Sequence, residues 1–466
     1  MLVKSGILIL ACLCSVVQAR AQTVQISGIE ITGNDRTKEL TILRELDFAP
    51  GDTISQAQLS LRLERSRTNL LNTALFTAVE MNVSEWDTDQ HKITVSVTVK
   101  EAWYLYILPI FDLADRNINV WITEHNAAFN RTNIGLRVIH INLTGVRDRL
   151  KAKAQLGYTR KLQFDYKLPY FNKQKSLGLL VKTGWSANRE IVYRIQDNKE
   201  QFYRDPQDKD VFGNVLVQAG LQYRPNLYFS QELELSYQFN KVAQQIAEDD
   251  NPDFFLDGRT RQEFISLKYK AIYDTRNLRL FSTKGLLLSA EVLKEGVGIF
   301  GDLNNLSILP HVEYDFPVAK RISVGLVGEF KYSLIRDQQP FWNYRGLGYQ
   351  QSFVRGYELY VINGLDYVLG KVNTKVLVAQ TQINWKKKLP KAFREMSLQL
   401  FGTLNYDIGY VKDPFYSEGN PLVNRTLSGG GPGLSLILYY NFAISLEYNF
   451  NNRGENGLFL QTKTSF

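Results

Sequence analysis

The chain is poor in cysteine, and its two cysteines both lie near the amino terminus. Cys12 and Cys14 fall in a leader-like segment, and the remainder of the 466 residues has none. Disulfide bonds and thiolate chemistry are therefore excluded from the body of the protein. Long apolar runs are also missing, because no later stretch approaches the ~18 consecutive apolar residues of a membrane-spanning helix.

Residue patterns that carry catalysis or ligand binding are scarce as well. The chain has only four histidines, and they are scattered without metal-ligand spacing. The glycine-rich run 429–433 is not followed by Lys and Ser or Thr, so it is no phosphate loop, and we interpret it as a loop-to-strand kink. We expect no catalytic site, no metal, no cofactor and no nucleic-acid partner.

The amino terminus has the features of a secretory signal peptide. Lys4 precedes an apolar segment at 7–17, and Ala19-Arg20-Ala21 is a small-x-small cleavage site. Residues 1–21 are therefore predicted to be removed, although Cys12 leaves a lipoprotein signal as an alternative. The formal charge of +8 falls by two with Lys4 and Arg20, leaving a moderately basic surface that suits anionic lipid head groups.

Residues 22–101 predict a small α+β domain. A short strand at 24–31 is followed by a segment, 37–46, with leucines at helical spacing. Ser55 and Gln58 form a capping-box pattern that opens a second helix to about Asn72. Two alternating strands complete the order β-α-α-β-β, and the strand at 76–84 is our candidate for an open sheet edge.

Residues 102–466 predict a transmembrane β-barrel. Helical periodicity disappears after Trp103, and apolar and polar residues alternate in segment after segment, many of which end in an aromatic residue. An outward apolar face, an inner polar face and aromatic girdles are typical of outer-membrane barrels, and ~10 residues per strand give about sixteen antiparallel strands. A soluble sandwich also alternates, but it does not explain the aromatic ends.

The last strand fits this interpretation. Leu458, Leu460 and Thr462 alternate with Gln461 and Lys463, and the strand ends at the carboxy-terminal Phe466. We interpret Phe466 as the end of a barrel-type terminal strand. Such a strand is expected to pair with the first one, because pairing removes the open edges.

Polar insertions separate several of the predicted strands. Because barrels have long loops at one end only, we expect the insertions at 197–210, 247–261 and 413–428 to share the outer end. The basic run 385–388 with Arg394 predicts a turn at the lipid head groups, or else a solvated loop.

Alternation also places one carboxylate inside the barrel. Asn405, Asp407 and Gly409 alternate with Tyr406 and Ile408, so Asp407 faces the lumen if the apolar set faces lipid. A carboxylate in a confined space favours a cationic partner, and an arginine can bind it through two hydrogen bonds. Asp274, Glu329 and Glu447 are predicted to face inward too.

Several motifs together resemble one family. They are GIEITGNDRTKE, LRELDFAPGD and NLLNTALFTAVEMNV in the first domain, Val354-Arg355-Gly356-Tyr357, Asp407 with Gly409, and the segment 273–285. In this order they resemble the BamA/TamA superfamily of outer-membrane assembly and transport proteins, with a POTRA domain before the barrel. Four positions depart from the family pattern: Asn277, Ser282, Gln380 and Asn405.

The resemblance implies a loop site and a function. It implies that the loop carrying Val354, Arg355, Gly356 and Tyr357 folds into the lumen, where Arg355 would meet Asp407. A solvent-exposed arginine is the alternative. The implied function is that of a non-enzymatic factor in a Gram-negative outer membrane, with its POTRA-like domain in the periplasm.

That factor would act on unfolded polypeptides, among outer-membrane lipids and with accessory periplasmic proteins as further partners. Clients would add as a strand along Phe76, Ala78, Glu80 and Asn82, and the barrel would insert them or pass them outward. A passive pore or a surface-binding barrel is the alternative function.

Overall fold

The computed structural model describes residues 23–384, 395–438 and 442–464. The predicted signal peptide, the basic run 385–388 with Arg394, and Phe466 lie outside these residues. Among the residues described, no helix is both long and apolar enough to cross a membrane.

The N-terminal domain is a four-stranded sheet with two helices. Its elements are β1 (Thr23–Thr32), α1 (Glu39–Leu43), β2 (Thr53–Ser55), α2 (Gln56–Leu71), β3 (Phe76–Asp87) and β4 (Lys92–Glu101). The strand order is β2-β1-β4-β3, with β1 parallel to β4 and the other pairs antiparallel. The three-residue β2 is an addition to the predicted order. Ser55 occupies the N-cap of α2, but its side chain makes no capping hydrogen bond.

The core of this domain follows from strand alternation. Alternate residues of β1 and β4 point toward the helices and are buried together with two leucines of α2. These residues are Val24, Ile26, Ile93, Val95, Val97, Leu59 and Leu70. The opposite face is exposed, and the sheet therefore has only one apolar side to cover.

The described residues that follow this domain form sixteen long strands and one small hairpin. The long strands are β5 (Leu105–Leu113), β6 (Thr132–His140), β7 (Arg149–Gly157), β8 (Thr159–Leu168), β9 (Leu177–Asn188), β12 (Phe212–Tyr223), β13 (Phe229–Val242), β14 (Arg261–Asp274), β15 (Gly285–Glu295), β16 (Asn305–Ala319), β17 (Ile322–Ser333), β18 (Asp366–Asn384), β19 (Glu395–Lys412), β20 (Thr426–Leu438), β21 (Phe442–Asn451) and β22 (Asn456–Thr464). β10 (Glu190–Gln196) and β11 (Lys199–Arg204) pair as a separate hairpin between β9 and β12. Each long strand pairs antiparallel with the next, which confirms the predicted all-β barrel of about sixteen strands.

Short helical segments lie in the loops. They are α3 (Ile118–Thr123), two 3₁₀ turns (Phe129–Arg131 and Phe341–Asn343) and one π turn (Ile246–Asp250). All of them follow strands that run away from the N-terminal domain.

The two faces of the large sheet differ as a barrel in lipid requires. On β19, Leu404 is 61% exposed and Tyr406 and Ile408 are about half exposed, whereas Asn405 and Asp407 between them are buried. An apolar surface that is continuous around the sheet cannot be left in water, so lipid is its natural solvent. The polar residues face the lumen.

The first and last strands of the sheet do not pair with each other in the described residues. Within the described residues, no ladder joins β5 to β22, although α3, which follows β5, packs against β22. The expected closure by pairing is therefore not found. β5 and β22 have nine residues each, compared with nineteen in β18, and Pro109 in β5 cannot donate a ladder hydrogen bond. We refer to this break in the strand pairing, between β5 and β22 with α3 beside β22, as the seam.

The three predicted long loops share one end of the barrel, opposite the N-terminal domain. The hairpin β10–β11 extends into the first, and the backbone N–H of Asn198 at its tip donates to Asn420 Oδ1 of the third. Phe254 of the second packs with Phe341 in the loop that follows β17. The loops therefore close over the mouth of the barrel as one layer.

The N-terminal domain is fastened to the other end of the barrel by a buried carboxylate. Glu45 accepts hydrogen bonds from Arg224 (Nη1 2.6 Å, Nη2 2.9 Å), in the turn after β12, and from Arg147 (3.3 Å), in the turn after β6. Burial alone would raise the pKa of Glu45, but the two guanidinium groups outweigh it and lower that pKa to about 2. Thr41 adds bonds to the Gly145 carbonyl and to Tyr170.

Glu45→Gln is expected to undock the N-terminal domain. Removing one member of a buried ion cluster leaves two arginines without a counter-charge, at a cost of about 3–5 kcal/mol. Hydrogen exchange in the turns around Gly145 and Tyr170 should rise in this variant. Arg65→Ala is the control, because the Arg65–Asp47 pair is exposed at 3.7 Å, and it should change little.

The same contact predicts how docking depends on pH. A carboxyl with a depressed pKa contributes its stabilisation above its ordinary pKa of 4.5 and loses it as the pH falls toward about 2. Protection in those turns should therefore be constant from neutral pH to about 5 and fall only in stronger acid. Loss of protection near neutral pH would contradict this assignment of the contact.

Candidate functional site in the barrel lumen

The loop between β17 and β18, residues 334–365, folds back into the lumen. A bridge between Leu347 and Ile362 closes its neck, and both residues are buried. Val354 and Tyr357 are also buried, each 1% exposed. The loop therefore has an apolar core of its own and presents its tip to the barrel wall.

Arg355 at this tip binds two carboxylates. Its Nη1 donates to Asp407 Oδ1 at 2.8 Å, and its backbone N–H donates to Asp407 Oδ2 at 3.1 Å. Its Nε and Nη2 donate to Glu447 at 2.7 and 3.2 Å. The structure thus brings Arg355 to Asp407, and adds Glu447, which sequence alternation had identified only as an alternative.

The environment makes this an enclosed charge cluster. The side chain of Asp407 is 0% exposed, that of Glu447 4% and that of Arg355 12%. Lys371 Nζ lies 3.8 Å from Asp407, so two cations face two carboxylates. Charge-assisted hydrogen bonds are strong in such a setting, and the loss of one partner is correspondingly costly.

Three amide side chains complete the hydrogen bonding of the Glu447 carboxylate. Asn405, Asn449 and Gln461 donate to its carboxylate at 3.3–3.4 Å. Asn405 is one of the four positions that depart from the family pattern, and its amide donates a hydrogen bond to the second carboxylate.

Gly356 allows the sharp turn at the loop tip. Its φ of +81° is in the left-handed region, and a Cβ would lie 2.8 Å from both Asn451 Cβ and the Phe450 carbonyl oxygen. The Gly356 carbonyl accepts a 2.7 Å hydrogen bond from Asn451, and the Tyr357 hydroxyl donates to Asn452. The four-residue motif is therefore attached to the end of β21.

The glycine-rich run 429–433 corrects our sequence interpretation. It is not a kink in a loop but part of β20, and Gly429 lies opposite Asp407. A Cβ on Gly429 would be 2.1 Å from the Arg355 carbonyl oxygen, and one on Gly409 would be 2.6 Å from Val354 Cγ2. These lumen-facing glycines provide the space that the loop tip occupies.

The other predicted carboxylates have different partners. Asp274 binds Arg276 at 3.0 Å, near the N-terminal domain, and Glu329 accepts from Ser352 at 2.6 Å. Neither contacts Arg355. Glu329 nevertheless holds the same loop, a few residues before the motif.

A second candidate site is the seam. The Leu460 N–H of β22 points away from β21 and donates to Asn119 Oδ1 of α3 at 3.2 Å. Asn117 caps α3 and donates to the Glu358 carbonyl at 2.9 Å, and Arg116 donates to Leu359 and Tyr360 of the same loop. The arginine loop and the seam are thus connected through one short helix, which the sequence did not suggest.

The third candidate is the edge strand β3. It lies at the edge of its sheet, as predicted, and Glu80 and Asn82 are exposed. Phe76 is 5% exposed and belongs to the core, and Ala78 is half-buried. Arg67 of α2 donates to the Val79 carbonyl at 3.1 Å, which leaves the part of β3 after Val79 as its open edge.

The fold and these sites define the class of outer-membrane assembly and transport barrels. The chain belongs to the Omp85 superfamily, whose domain model matches residues 142–443. Residues 24–102 match the POTRA model, described as a surface antigen variable number repeat. The resemblance to the BamA/TamA-like superfamily is confirmed.

Solved structures share this fold at low sequence identity. BamA from Haemophilus ducreyi lacking POTRA domains 1–3 is 14% identical with a TM-score of 0.54, over 95% of this chain and 84% of that one. CdiB from Escherichia coli is 12% identical with a TM-score of 0.58, over 95% and 76%. CdiB from Acinetobacter baumannii is 11% identical with a TM-score of 0.53, over 95% and 74%. No curated protein matches the sequence.

Membership in this superfamily supports the general class of function. Its members are assembly and transport factors that handle polypeptide clients, which supports outer-membrane insertion or translocation. It also indicates a Gram-negative outer membrane with the POTRA domain on the periplasmic side.

Proposed function

We propose that this protein captures unfolded polypeptides on its POTRA domain and inserts them into the outer membrane at the seam. The unpaired seam is the observation that carries the proposal. β22 has backbone groups that no strand satisfies in the described part of the chain, and a client strand can satisfy them without any sequence requirement.

The arrangement at the seam supports exchange rather than permanent closure. One side-chain oxygen, from Asn119, takes the Leu460 N–H that a neighbouring strand would otherwise take. An incoming strand would offer a hydrogen bond at every second residue and would therefore compete well against a single contact. α3 is therefore a placeholder, which occupies the edge of β22 that a client strand would take.

A passive pore has less support. The loop with Arg355 lies in the lumen, and the loops at 197–210, 247–261 and 413–428 pack over the outer mouth. Purified protein in liposomes distinguishes the two functions. Faster folding of a denatured barrel client supports insertion, whereas solute flux without such acceleration supports a pore and contradicts our proposal.

Client capture is expected along β3 rather than along the other edge of the POTRA sheet. β3 has twelve residues and β2 has three, so only β3 offers a long open ladder. The chain has no cysteine after Cys14, so in protein that lacks the predicted signal peptide a photo-crosslinker can be attached at Asn82→Cys alone. It should capture denatured client several-fold more than the same label at Thr53→Cys on β2.

This comparison is internally controlled, because both labels lie on exposed edges of one folded domain. Equal capture from the two positions would show that POTRA contacts clients without strand addition. Preferential capture at Thr53 would move the binding edge to β2.

A further inference from the structure

The turn between β14 and β15 crosses the lumen at the POTRA end of the barrel. This segment, 275–284, carries Leu280 and Phe281, which pack against an apolar patch on the inner wall formed by Phe401, Ile437 and Ala443, with Leu377 beside it. The rings of Phe281 and Phe401 are 4.8 Å apart. The patch belongs to β18–β21. The turn therefore contacts strands that lie three to seven places away in the sheet from the two strands it joins, β14 and β15.

A lysine holds the tip of the turn in place. Lys375 of β18 donates to the Ser282 carbonyl at 2.6 Å and to Asp315 of β16 at 2.7 Å. Its ammonium group also lies 5.1 Å from the centre of the Phe281 ring, within cation–π range. The tip is therefore fixed by one cation and one aromatic contact, with no strand pairing of its own.

Asn277 gives the turn its shape and links it to the POTRA domain. Its Oδ1 accepts the N–H groups of Thr283 and Lys284 at 3.1 and 3.2 Å, and its Nδ2 donates to Thr283 Oγ1 at 2.9 Å. An aspartate at this position could accept but could not donate that last bond. The Asn277 carbonyl accepts a 3.2 Å hydrogen bond from Asn72 at the end of α2.

We propose that the segment 275–284 is a displaceable plug that closes the lumen on the POTRA side. The apolar patch is an unusual feature of a polar inner wall, and Leu280 and Phe281 cover it. An extended client segment with apolar side chains would take the same patch after the plug leaves. This last step rests on the proposed function, whereas closure of the lumen does not.

Closure can be measured with a cysteine reporter in the lumen. Ser435 is buried and lies directly opposite Phe401 on the neighbouring strand, and Ser435→Cys would be the only thiol after Cys14, in protein made without residues 1–21. Phe281→Ser should raise the rate at which a membrane-impermeant maleimide labels this thiol by about tenfold or more, because the tip loses its main contact. Phe171→Ser, at an exposed aromatic in another turn at the same end, should leave the rate unchanged.

Equal labelling in the parent and in Phe281→Ser, with both proteins folded, would contradict the proposal that segment 275–284 closes the lumen.

Displacement is tested separately by cross-linking Phe281→Cys to Phe401→Cys with a short cleavable reagent. The cross-linked protein should insert clients about tenfold more slowly and recover after cleavage. If the parent inserts clients and the cross-linked protein matches it, the segment does not move and the proposal fails. If the parent inserts nothing, the proposed function fails, and the labelling experiment still decides closure.

Discussion

Replacing Arg355 with alanine is expected to release the lumen loop while the barrel still forms. The substitution leaves Asp407 and Glu447, both almost fully buried, with Lys371 as their remaining cation. Breaking a buried ion pair costs about 3–5 kcal/mol, and the loop can avoid that cost by moving out so that water reaches the carboxylates. Trypsin cleavage within 334–365 should become much faster, and client insertion should fall.

Arg336→Ala is the matched control. Arg336 lies in the same loop and binds Asp366 at 2.7 Å, but its side chain is 38% exposed. Exposed pairs contribute less than about 1 kcal/mol, so cleavage of this variant should resemble that of the parent. Equal cleavage of the Arg355 and Arg336 variants would show that the buried cluster does not hold the loop.

The contacts also predict how charge reversals combine. Arg355→Glu would place three carboxylates together, and Asp407→Arg would place a guanidinium beside Lys371, so each should be worse than alanine. The double exchange should recover only a small part of the loss, because Glu447 would then face a new carboxylate at position 355. Strictly additive defects would contradict a direct Arg355–Asp407 interaction.

The wall of the barrel could be predicted from the sequence because alternation reports it directly. Successive residues such as Tyr406 and Asp407 alternate between apolar and polar. Because successive side chains of a strand point to opposite faces of the sheet, this alternation shows which face each residue occupies. The same rule placed Asp407 and Glu447 in the lumen. The rule could not decide which of the two carboxylates binds Arg355. Their relative positions depend on the register of β19–β21, and that register is set by strand pairing, which the sequence of a single strand does not show.

The space around the loop tip could not be predicted for a different reason. Gly429 has no local property that separates a kink from a strand, and its role lies in the close approach of the Arg355 carbonyl from a distant segment. The helix α3 has only six residues, too few for a periodic pattern.

Cross-linking α3 to β22 is expected to block insertion of clients. Asn119→Cys and Leu460→Cys, joined by a short cleavable reagent, would fix the placeholder on the edge that a client strand must use. Insertion should fall by about tenfold or more, which corresponds to about 1.4 kcal/mol or more in the barrier. Reductive cleavage of the reagent should restore it. Both cysteines are new to a chain that has none after its first 14 residues, so the reaction is specific.

The control places an equivalent cross-link where no client is expected. Ser236 and Ser266 lie opposite each other on β13 and β14, with hydroxyl oxygens 2.6 Å apart, and their cysteine pair should react without affecting insertion. A seam-linked protein that inserts clients as fast as the parent would exclude the seam as their route. Polypeptides would then have to pass through the lumen, which the loop with Arg355 obstructs. Arg355→Ala would in that case increase transport, opposite in sign to the decrease expected when the loop supports α3 at the seam.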